Sequence, residues 1–215
     1  MQAFPKFLLD GYQNFMAGRF ARENERYRDL AVSGQNPTTM IIACCDSRAA
    51  PETIFDCGPG ELFVLRNVAN LVPPFAPDSG QHGTSAAIEF AVQSLGIKDL
   101  IVMGHGRCGG IRAALDPNWS GVGEGDFIGK WMSLLAPVAE AVGSYSFMTD
   151  SERQTTLERF SIRNSIRNLR TFPYISQREA EGSLQVHGAW FDISSGELWI
   201  MSPETEDFVR PEVEA

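Results

Sequence analysis

Two short segments of the sequence concentrate the residue types that bind metal ions. Cys44, Asp46 and Arg48 follow one apolar run, and His105 and Cys108 follow another, inside the stretch Gly-His-Gly-Arg-Cys-Gly-Gly. Thiolate and imidazole groups are preferred zinc ligands, and three protein ligands leave one position of a tetrahedral ion open for catalysis. A His-x-x-Cys pair joined by a cysteine from a neighbouring segment therefore predicts a catalytic metal site.

The alternation of side chains along an extended segment indicates which cysteine of the first segment takes part. Cys44, Asp46 and Arg48 fall on one face of such a segment, and Cys45 falls on the other. We therefore assign the ligand role to Cys44 and expect Cys45 and Cys57 to be packing residues. On the shared face, Arg48 is expected to hold Asp46 ionised and oriented through a bidentate ion pair.

Composition places the chain among ordinary globular proteins and excludes several classes of function. It has 215 residues, of which 43% are hydrophobic, so a single domain over 1–215 is expected. A formal net charge of −9 argues against binding to nucleic acid or to an anionic membrane surface. No apolar run is long enough to span a membrane, and the apolar stretch after Lys6 is too short for a signal sequence. We therefore expect a cytoplasmic protein that acts on a small-molecule substrate.

Alternating strand and helix patterns predict the scaffold that positions the two segments. Short apolar runs predict buried strands at 38–44, 62–65 and 99–103. Helices are predicted at 4–32, 84–95, 108–115, 127–141 and 152–169, and a β-hairpin at 184–193 and 197–201. The expected fold is α/β, with a mainly parallel central β-sheet flanked by helices on both faces. A helical N-terminal arm (1–34) precedes the α/β core (38–215), which ends in the C-terminal β-hairpin.

The carboxyl ends of the predicted strands are where a site is expected. Cys44 ends the first strand and His105 follows the third, so both should lie at the same edge of an open α/β sheet. The second half of the arm, residues 19–29, is heavily charged. It is interpreted either as a solvated helix face or as an arm that wraps a second subunit.

The two ligand-bearing motifs together resemble those of the β-class carbonic anhydrases. Further blocks agree: Pro-Gly-Glu at 59–61, Arg-Asn-Val-Ala-Asn at 66–70 and Val-His-Gly-Ala-Trp-Phe-Asp-Ile at 186–193. The resemblance runs over nearly the whole chain, and it implies one zinc ion per subunit, bound by Cys44, His105 and Cys108. It also implies reversible hydration of carbon dioxide to bicarbonate and a proton, by attack of zinc-bound hydroxide. The assembly it implies is a homodimer with swapped N-terminal helices, or a higher oligomer built from such dimers.

The same resemblance assigns catalytic and substrate-binding roles. Asp46 would accept a hydrogen bond from the zinc-bound hydroxide, and Arg48 would keep Asp46 away from the metal. In some members of the family this Asp ligates zinc when the Arg releases it. The residues that match the family's substrate pocket are Gln35, Phe63, Val68, Phe90 and Gly109. Position 90 departs from plant-like members, which carry Tyr there, and the departure removes a hydroxyl group.

Two alternatives to carbon dioxide hydration stay open at this level. A related zinc hydrolase could act on CS2 or COS, since the same nucleophile attacks any linear heterocumulene. A non-enzymatic module stabilised by zinc, as a carboxysome component or a regulatory partner, is the other alternative. A purely structural zinc site is normally closed by four protein ligands. The presence of Asp46 and Arg48 beside three ligands therefore favours an enzyme, a zinc lyase of the carbonic anhydrase type.

Overall fold

The computed structural model describes residues 4–116 and 127–212, and the structural statements below concern those residues. The strands are β1 (Thr39–Cys44), β2 (Leu62–Asn67), β3 (Asp99–His105), β4 (Gln185–Asp192), β5 (Glu197–Met201) and β6 (Phe208–Val209). The α-helices are α1 (Lys6–Phe15), α2 (Ala21–Ser33), α3 (Pro51–Ile54), α4 (Gly83–Glu89), α5 (Gly109–Leu115), α6 (Phe127–Met132), α7 (Ala136–Gly143), α8 (Asp150–Leu169) and α9 (Pro173–Ala180). Segments of π-helix continue α1 and α4 over Met16–Phe20 and Phe90–Leu95, and 3-10 turns occupy Val68–Asn70 and Ser133–Leu135. None of the helices in these ranges is both long and apolar enough to cross a membrane.

The strands form one sheet in the order β2-β1-β3-β4-β5-β6. Strands β2, β1, β3 and β4 run parallel, and the β4–β5 and β5–β6 pairs are antiparallel. The predicted α/β fold, with its mainly parallel sheet, helical arm and C-terminal hairpin, is therefore confirmed. Because β2 lies on one side of β1 and β3 on the other, the boundary between β1 and β3 is a topological switch point. Sites of open α/β sheets form at such points.

Helix α8 covers the central strands on one face of the sheet. Its residues Ile162 and Ile166 share a buried core cluster with Ile42 of β1. Two glycines allow this close approach. A Cβ at Gly104 of β3 would lie 2.9 Å from Ile162 Cδ1, and one at Gly188 of β4 would lie 3.0 Å from Ile162 Cγ2. The absence of side chains at these two positions therefore lets α8 lie close against β3 and β4.

The opposite face of the sheet is covered differently from the prediction. It buries a smaller cluster, composed of Ile41, Ala43, Met103 and Ala189. Among the described residues, the helix that packs on this cluster is the four-residue α3, through Ile54 and the adjoining Phe55. Helices therefore lie on both faces, as predicted, but in the described residues one face carries long helices and the other carries the short α3.

Several elements depart from the predicted boundaries. Helix α9 and strand β6 were not predicted. Strand β2 continues through Arg66 and Asn67, and it is half-buried instead of fully buried because it forms an edge of the sheet. The helix predicted over 127–141 is divided into α6, a 3-10 turn and α7. Pro137 stands at the start of α7, and its lack of an N–H group is compatible with a helix start but not with a continuous helix.

The charged part of the N-terminal arm contacts the core. Arg19 Nη2 donates to the carbonyl of Cys57 at 2.7 Å. Arg26 of α2 donates through Nε to the carbonyl of Pro59 at 2.8 Å and pairs with Glu61 at 3.0 Å. These two arginines therefore hold the arm against the turn before β2. For them, the interpretation of this segment as a purely solvated helix face is wrong. Helix α1 has no buried residue, and the apolar side chains exposed there and just before it are Phe4, Phe7, Leu8, Leu9 and Tyr12.

Candidate metal centre

The three predicted ligands meet at the carboxyl ends of β1 and β3. Cys44 is the last residue of β1 and, two residues on from Ile42, faces the side of the sheet that α8 covers. His105 is the last residue of β3, and Cys108 lies in the loop that leads into α5. The pairing of β1 with β3 brings these positions together, and all three side chains are buried.

The donor atoms have the spacing that one tetrahedral metal ion needs. The sulfur atoms of Cys44 and Cys108 and a ring nitrogen of His105 all lie within 4.8 Å of one another. The two Sγ atoms are 3.9 Å apart. Two sulfur atoms bound to a tetrahedral zinc ion at about 2.3 Å each lie roughly 3.8 Å apart. The observed separation therefore fits a shared ion.

His105 is oriented for metal binding by the hydrogen bond of its other ring nitrogen. Nδ1 lies 2.9 Å from the carbonyl oxygen of Gly106. A proton on Nδ1 leaves Nε2 as the metal-binding atom, the arrangement usual for histidine ligands. Nε2 is buried and has no hydrogen-bond partner among the described residues. Because buried polar atoms are normally satisfied, this orphaned nitrogen indicates a group that binds between it and the two sulfur atoms.

A hydrogen bond joins the side chains of Cys44 and Cys108, with a proton between the two sulfur atoms. The hydrogen bond with Cys108 lowers the pKa of Cys44, and the hydrogen bond from the Ala69 N–H acts in the same direction. The hydrogen bond with Cys44, together with burial, raises the pKa of Cys108. Since the thiolate is the form that binds metals, an incoming metal ion would displace this proton.

Asp46 and Arg48 form the predicted bidentate pair beside the ligands. Arg48 donates from Nε to Oδ1 at 2.9 Å and from Nη2 to Oδ2 at 2.7 Å. The side-chain hydrogen bonds from Arg48 hold the pKa of Asp46 well below its usual range. Asp46 Oδ2 lies 3.9 Å from Nε2 of His105. The carboxylate therefore borders the metal position without belonging to the ligand group.

The physical reason for this pairing differs from the predicted one. Strand β1 ends at Cys44, and a turn follows in which the N–H of Arg48 donates to Asp46 Oδ1 at 3.0 Å. The alternation of side chains along a strand therefore does not apply to residues 45–48. Instead, a turn closed by a hydrogen bond to the Asp46 side chain places Arg48 beside Asp46. Cys45 is exposed, so the prediction that it is a packing residue is wrong, whereas Cys57 is half-buried.

Two residues outside the predicted site hold the Cys44 segment in place. Arg66 of β2 donates from Nε to the carbonyl of Cys44 at 2.9 Å and from Nη2 to the carbonyl of Asp46 at 2.7 Å. The N–H of Ala69 lies 3.3 Å from Cys44 Sγ. Ala69 adopts a left-handed conformation, with φ of 63°. That conformation is costly for a residue with a Cβ, and such strain is concentrated at functional sites.

Glu158 of α8 supports the Cys108 segment from the other side. Its Oε1 accepts hydrogen bonds from the N–H of Cys108 at 3.0 Å and from Gln154 Nε2 at 3.1 Å. Its Oε2 accepts one from Trp190 Nε1 at 3.1 Å. Burial raises the pKa of Glu158 in spite of these donors. Glu158 was not predicted, although its position one turn before the buried Ile162, on the apolar side of α8, was an available signal.

Three predicted substrate-binding residues form apolar surface. Phe63 of β2 packs on Phe90, with ring centroids 5.8 Å apart, and Phe90 is 46% exposed. Val68 follows β2 and lines an open cavity of about 490 Å³ together with Trp131, whose Nε1 donates to the carbonyl of Val68 at 2.8 Å. A role of these side chains in binding substrate stays a prediction.

The other two predicted substrate-binding residues are Gln35, which has a polar side chain, and Gly109, which can contribute only its backbone groups. Gly109 directly follows Cys108 and begins α5. Gln35 is exposed in the connection between α2 and β1. Within the described ranges it makes no hydrogen bond to the ligands or to the Asp46–Arg48 pair, so its role also stays a prediction.

Comparisons with known sequences identify the family. A family profile described as carbonic anhydrase matches residues 39–198, which include all three candidate ligands. A carbonic anhydrase of Pseudomonas aeruginosa is 33% identical over 212 residues, which cover 97% of this chain and 94% of that protein. The mitochondrial β-carbonic anhydrase 6 of Arabidopsis thaliana is 33% identical over 200 residues, which cover 92% of this chain and 68% of that protein.

Solved structures agree with the sequence comparisons. The β-carbonic anhydrase CcaA is 29% identical and matches with a TM-score of 0.87, over 97% of this chain and 92% of its own. A tetrameric β-carbonic anhydrase of Sordaria macrospora is 29% identical, with a TM-score of 0.78 over 92% of this chain and 96% of its own. The chain therefore belongs to the β-carbonic anhydrase family, a family of enzymes, as its motifs predicted. These relatives give no support to a CS2 or COS hydrolase or to a non-enzymatic module.

Proposed function

We propose that this protein is a zinc enzyme that reversibly hydrates carbon dioxide to bicarbonate and a proton. The observation that carries the proposal is the buried group of Cys44, His105 and Cys108, whose donor atoms lie within 4.8 Å of one another. Two thiolates and an imidazole favour zinc over magnesium or calcium, which prefer oxygen ligands. Three protein ligands leave the fourth tetrahedral position for catalysis.

The residues beside the ligands have complementary roles in this reaction. A zinc ion bound here would lower the pKa of a coordinated water toward about 7, which makes hydroxide available at neutral pH. Asp46 Oδ2, at 3.9 Å from His105 Nε2, is ionised and can only accept a hydrogen bond at the metal position, so it orients the group bound there. Arg48 occupies both carboxylate oxygens and so prevents Asp46 from becoming a fourth protein ligand.

The substrate would be held by apolar surface next to this centre. Carbon dioxide is small and apolar, so it needs an apolar wall and few polar contacts. Phe63, Val68 and Phe90 are proposed as this wall, with the backbone of Gly109 and the side chain of Gln35 as its polar groups. Replacement of Gln35 by Ala should lower kcat/KM while zinc content stays unchanged, and an unaltered kcat/KM would remove Gln35 from the site.

The proposed assembly is a dimer that exchanges its N-terminal helices, alone or within a larger oligomer. The support is the uncovered apolar surface of α1, which has no buried residue in the single chain. The Sordaria macrospora relative is described as tetrameric. Light scattering on the full chain should give a mass that is an even multiple of 23.7 kDa. A monomer would contradict the proposed exchange.

Zinc analysis combined with stopped-flow carbon dioxide hydration over roughly pH 6.5–9 tests the proposed activity. We expect one zinc ion per chain and a hydration rate that rises with pH. Cys44→Ser should lose zinc and activity. Cys45→Ser, which changes the adjacent exposed thiol, is the matched control and should keep both. A zinc-loaded chain that does not hydrate carbon dioxide would overturn the proposal.

A further inference from the structure

The peptide of Cys108 is held by two side chains of α8. Glu158 Oε1 accepts the N–H of Cys108 at 3.0 Å, and Gln154 Nε2 donates to the carbonyl of Cys108 at 3.2 Å. Gln154 also donates to Glu158 Oε1 at 3.1 Å, so the two side chains, one helical turn apart, act together. Glu158 is 2% exposed. Because a buried carboxylate is costly unless it is fully hydrogen-bonded, these contacts account for its presence in the core.

The second oxygen of Glu158 is tied to β4. Trp190 Nε1 donates to Oε2 at 3.1 Å, and the indole ring lies against Gly106, where a Cβ would be 3.2 Å from Cζ2 of the ring. The loop that joins His105 to Cys108 therefore contacts α8 through Cys108 and Trp190 through Gly106. Within this loop Arg107 adopts a left-handed conformation, with φ of 58°. A residue with a side chain keeps that conformation only when its surroundings hold it there.

Cys108 needs such support more than the other two ligands do. Cys44 and His105 are terminal residues of β1 and β3, and strand pairing fixes their backbone. Cys108 lies beyond the end of β3, in the loop before α5, and its N–H is bound by a side chain. We infer that Glu158 is a positioning residue that fixes Cys108 for metal binding, an inference that rests on the proposed zinc site. Hydrogen-bond partners of this kind typically contribute about 10–100-fold to metal affinity.

Zinc affinity, measured on the full chain by competition with a chromophoric chelator, tests this inference independently of activity. Glu158→Ala leaves the Cys108 N–H without its acceptor and should weaken zinc binding about 10–100-fold. Glu158→Gln keeps one oxygen acceptor, but its amide nitrogen cannot accept the Trp190 N–H. It should weaken binding less than Glu158→Ala does, yet by more than about threefold.

A control variant separates positioning from general stability. Leu169 is buried near the other end of α8, in a different core cluster from that of Cys108. Leu169→Ala should lower Tm but leave zinc affinity within about threefold of the parent chain. Cobalt(II) substitution gives a second readout, because thiolate-to-cobalt charge transfer reports on how the cysteines bind. That absorption band should change in the Glu158 variants and not in Leu169→Ala.

The results that would overturn the positioning role differ from those that would overturn the proposed zinc site. Zinc affinity within about threefold of the parent in both Glu158 variants, with unaltered cobalt spectra, would overturn the positioning role. If Glu158→Ala does not fold, Glu158→Gln decides the question by the same criteria. A parent chain that binds no zinc would overturn the proposed function and this inference together. A parent chain that binds zinc with an affinity insensitive to Glu158 would overturn this inference alone.

Discussion

Arg48 binds Asp46 through a fork of two hydrogen bonds, Nε to Oδ1 at 2.9 Å and Nη2 to Oδ2 at 2.7 Å. Arg48 Nη2 also reaches the carbonyl of Arg107, at 3.3 Å, in the loop between the other two ligands. The pair therefore joins the segment that carries Cys44 to the segment that carries His105 and Cys108. In the proposed zinc site it would hold the carboxylate at the edge of the metal position and keep it off the metal.

Asp46→Asn should retain zinc and lose most of the activity. The amide oxygen can keep the two hydrogen bonds made to Oδ1, from the backbone N–H and from Nε of Arg48, so the turn should persist although the bond from Nη2 is lost. The amide nitrogen cannot accept a hydrogen bond at the metal position, and kcat/KM for carbon dioxide hydration should fall about 100-fold or more. Zinc analysis and stopped-flow kinetics check both parts. Glu52→Gln, an exposed carboxylate of α3, is the control, and an active Asp46→Asn enzyme would exclude the orienting role.

Arg26→Ala should loosen the N-terminal arm, because Arg26 binds both Pro59 and Glu61 across the contact with the core. Hydrogen exchange of the α2 amides should become faster, and the exchange of β1 should stay unchanged. Arg28→Ala, which removes a neighbouring exposed cation of the same helix, should have little effect. Equal exchange in the two variants would show that the contacts of Arg26 do not hold the arm.

The same contact should depend on pH through Glu61. The N–H of Gly58, followed by the side chain of Arg26, lowers the pKa of Glu61. A carboxyl group with a lowered folded-state pKa stabilises the folded arm above its ordinary pKa of about 4.3, and this contribution is lost as pH falls through the lower, folded value. Glu61→Gln should therefore increase α2 exchange at neutral pH and converge with the parent chain once pH falls below the lowered, folded-state pKa of Glu61. A difference that persists in acid would contradict this origin.

Gly104→Ala should destabilise the fold, because the added Cβ would lie 2.9 Å from Ile162 Cδ1. Overpacking of this kind costs about 1–3 kcal/mol in the free energy of unfolding. Ile162→Val removes the clashing methyl group and by itself costs about 0.5–1.5 kcal/mol. The double variant should therefore lose less stability than the sum of the two single variants. Chemical denaturation measures all three, and strictly additive losses would place the strain elsewhere.

Thr149→Ala should lower the stability of α8 at its N-terminus. Thr149 and Glu152 form a reciprocal capping box, with Glu152 N–H donating to Thr149 Oγ1 at 3.2 Å and Thr149 N–H donating to Glu152 Oε2 at 2.8 Å. Loss of such a cap costs about 1 kcal/mol. Ser151→Ala, in the first turn but outside the capping box, is the control for thermal unfolding. Equal Tm values for the two variants would contradict the role of the cap.

The ligand set and the fold class were predictable because both depend on local features of the sequence. Apolar runs of strand length identified β1 and β3, and the residues at their ends identified Cys44, His105 and Cys108. Glu158 and Arg66 were not predictable in the same way. Their partners are the backbone N–H of Cys108 and the backbone carbonyls of Cys44 and Asp46. Such backbone groups occur all along the chain, so no pattern of residue types indicates which of them Glu158 and Arg66 will bind.

By itself the sequence determined which residues could bind a metal and that Asp46 and Arg48 belong beside them, since residue type and spacing carry that information. Only the tertiary structure decided how these groups meet. The pairing of β1 with β3 brings Cys44 and His105 together, and the turn after Cys44 sets Arg48 on Asp46. Glu158 of helix α8 accepts a hydrogen bond from the N–H of Cys108. Apart from the local turn at Asp46 and Arg48, these arrangements depend on contacts between residues far apart in the chain, and their distances and hydrogen bonds exist only after the chain has folded.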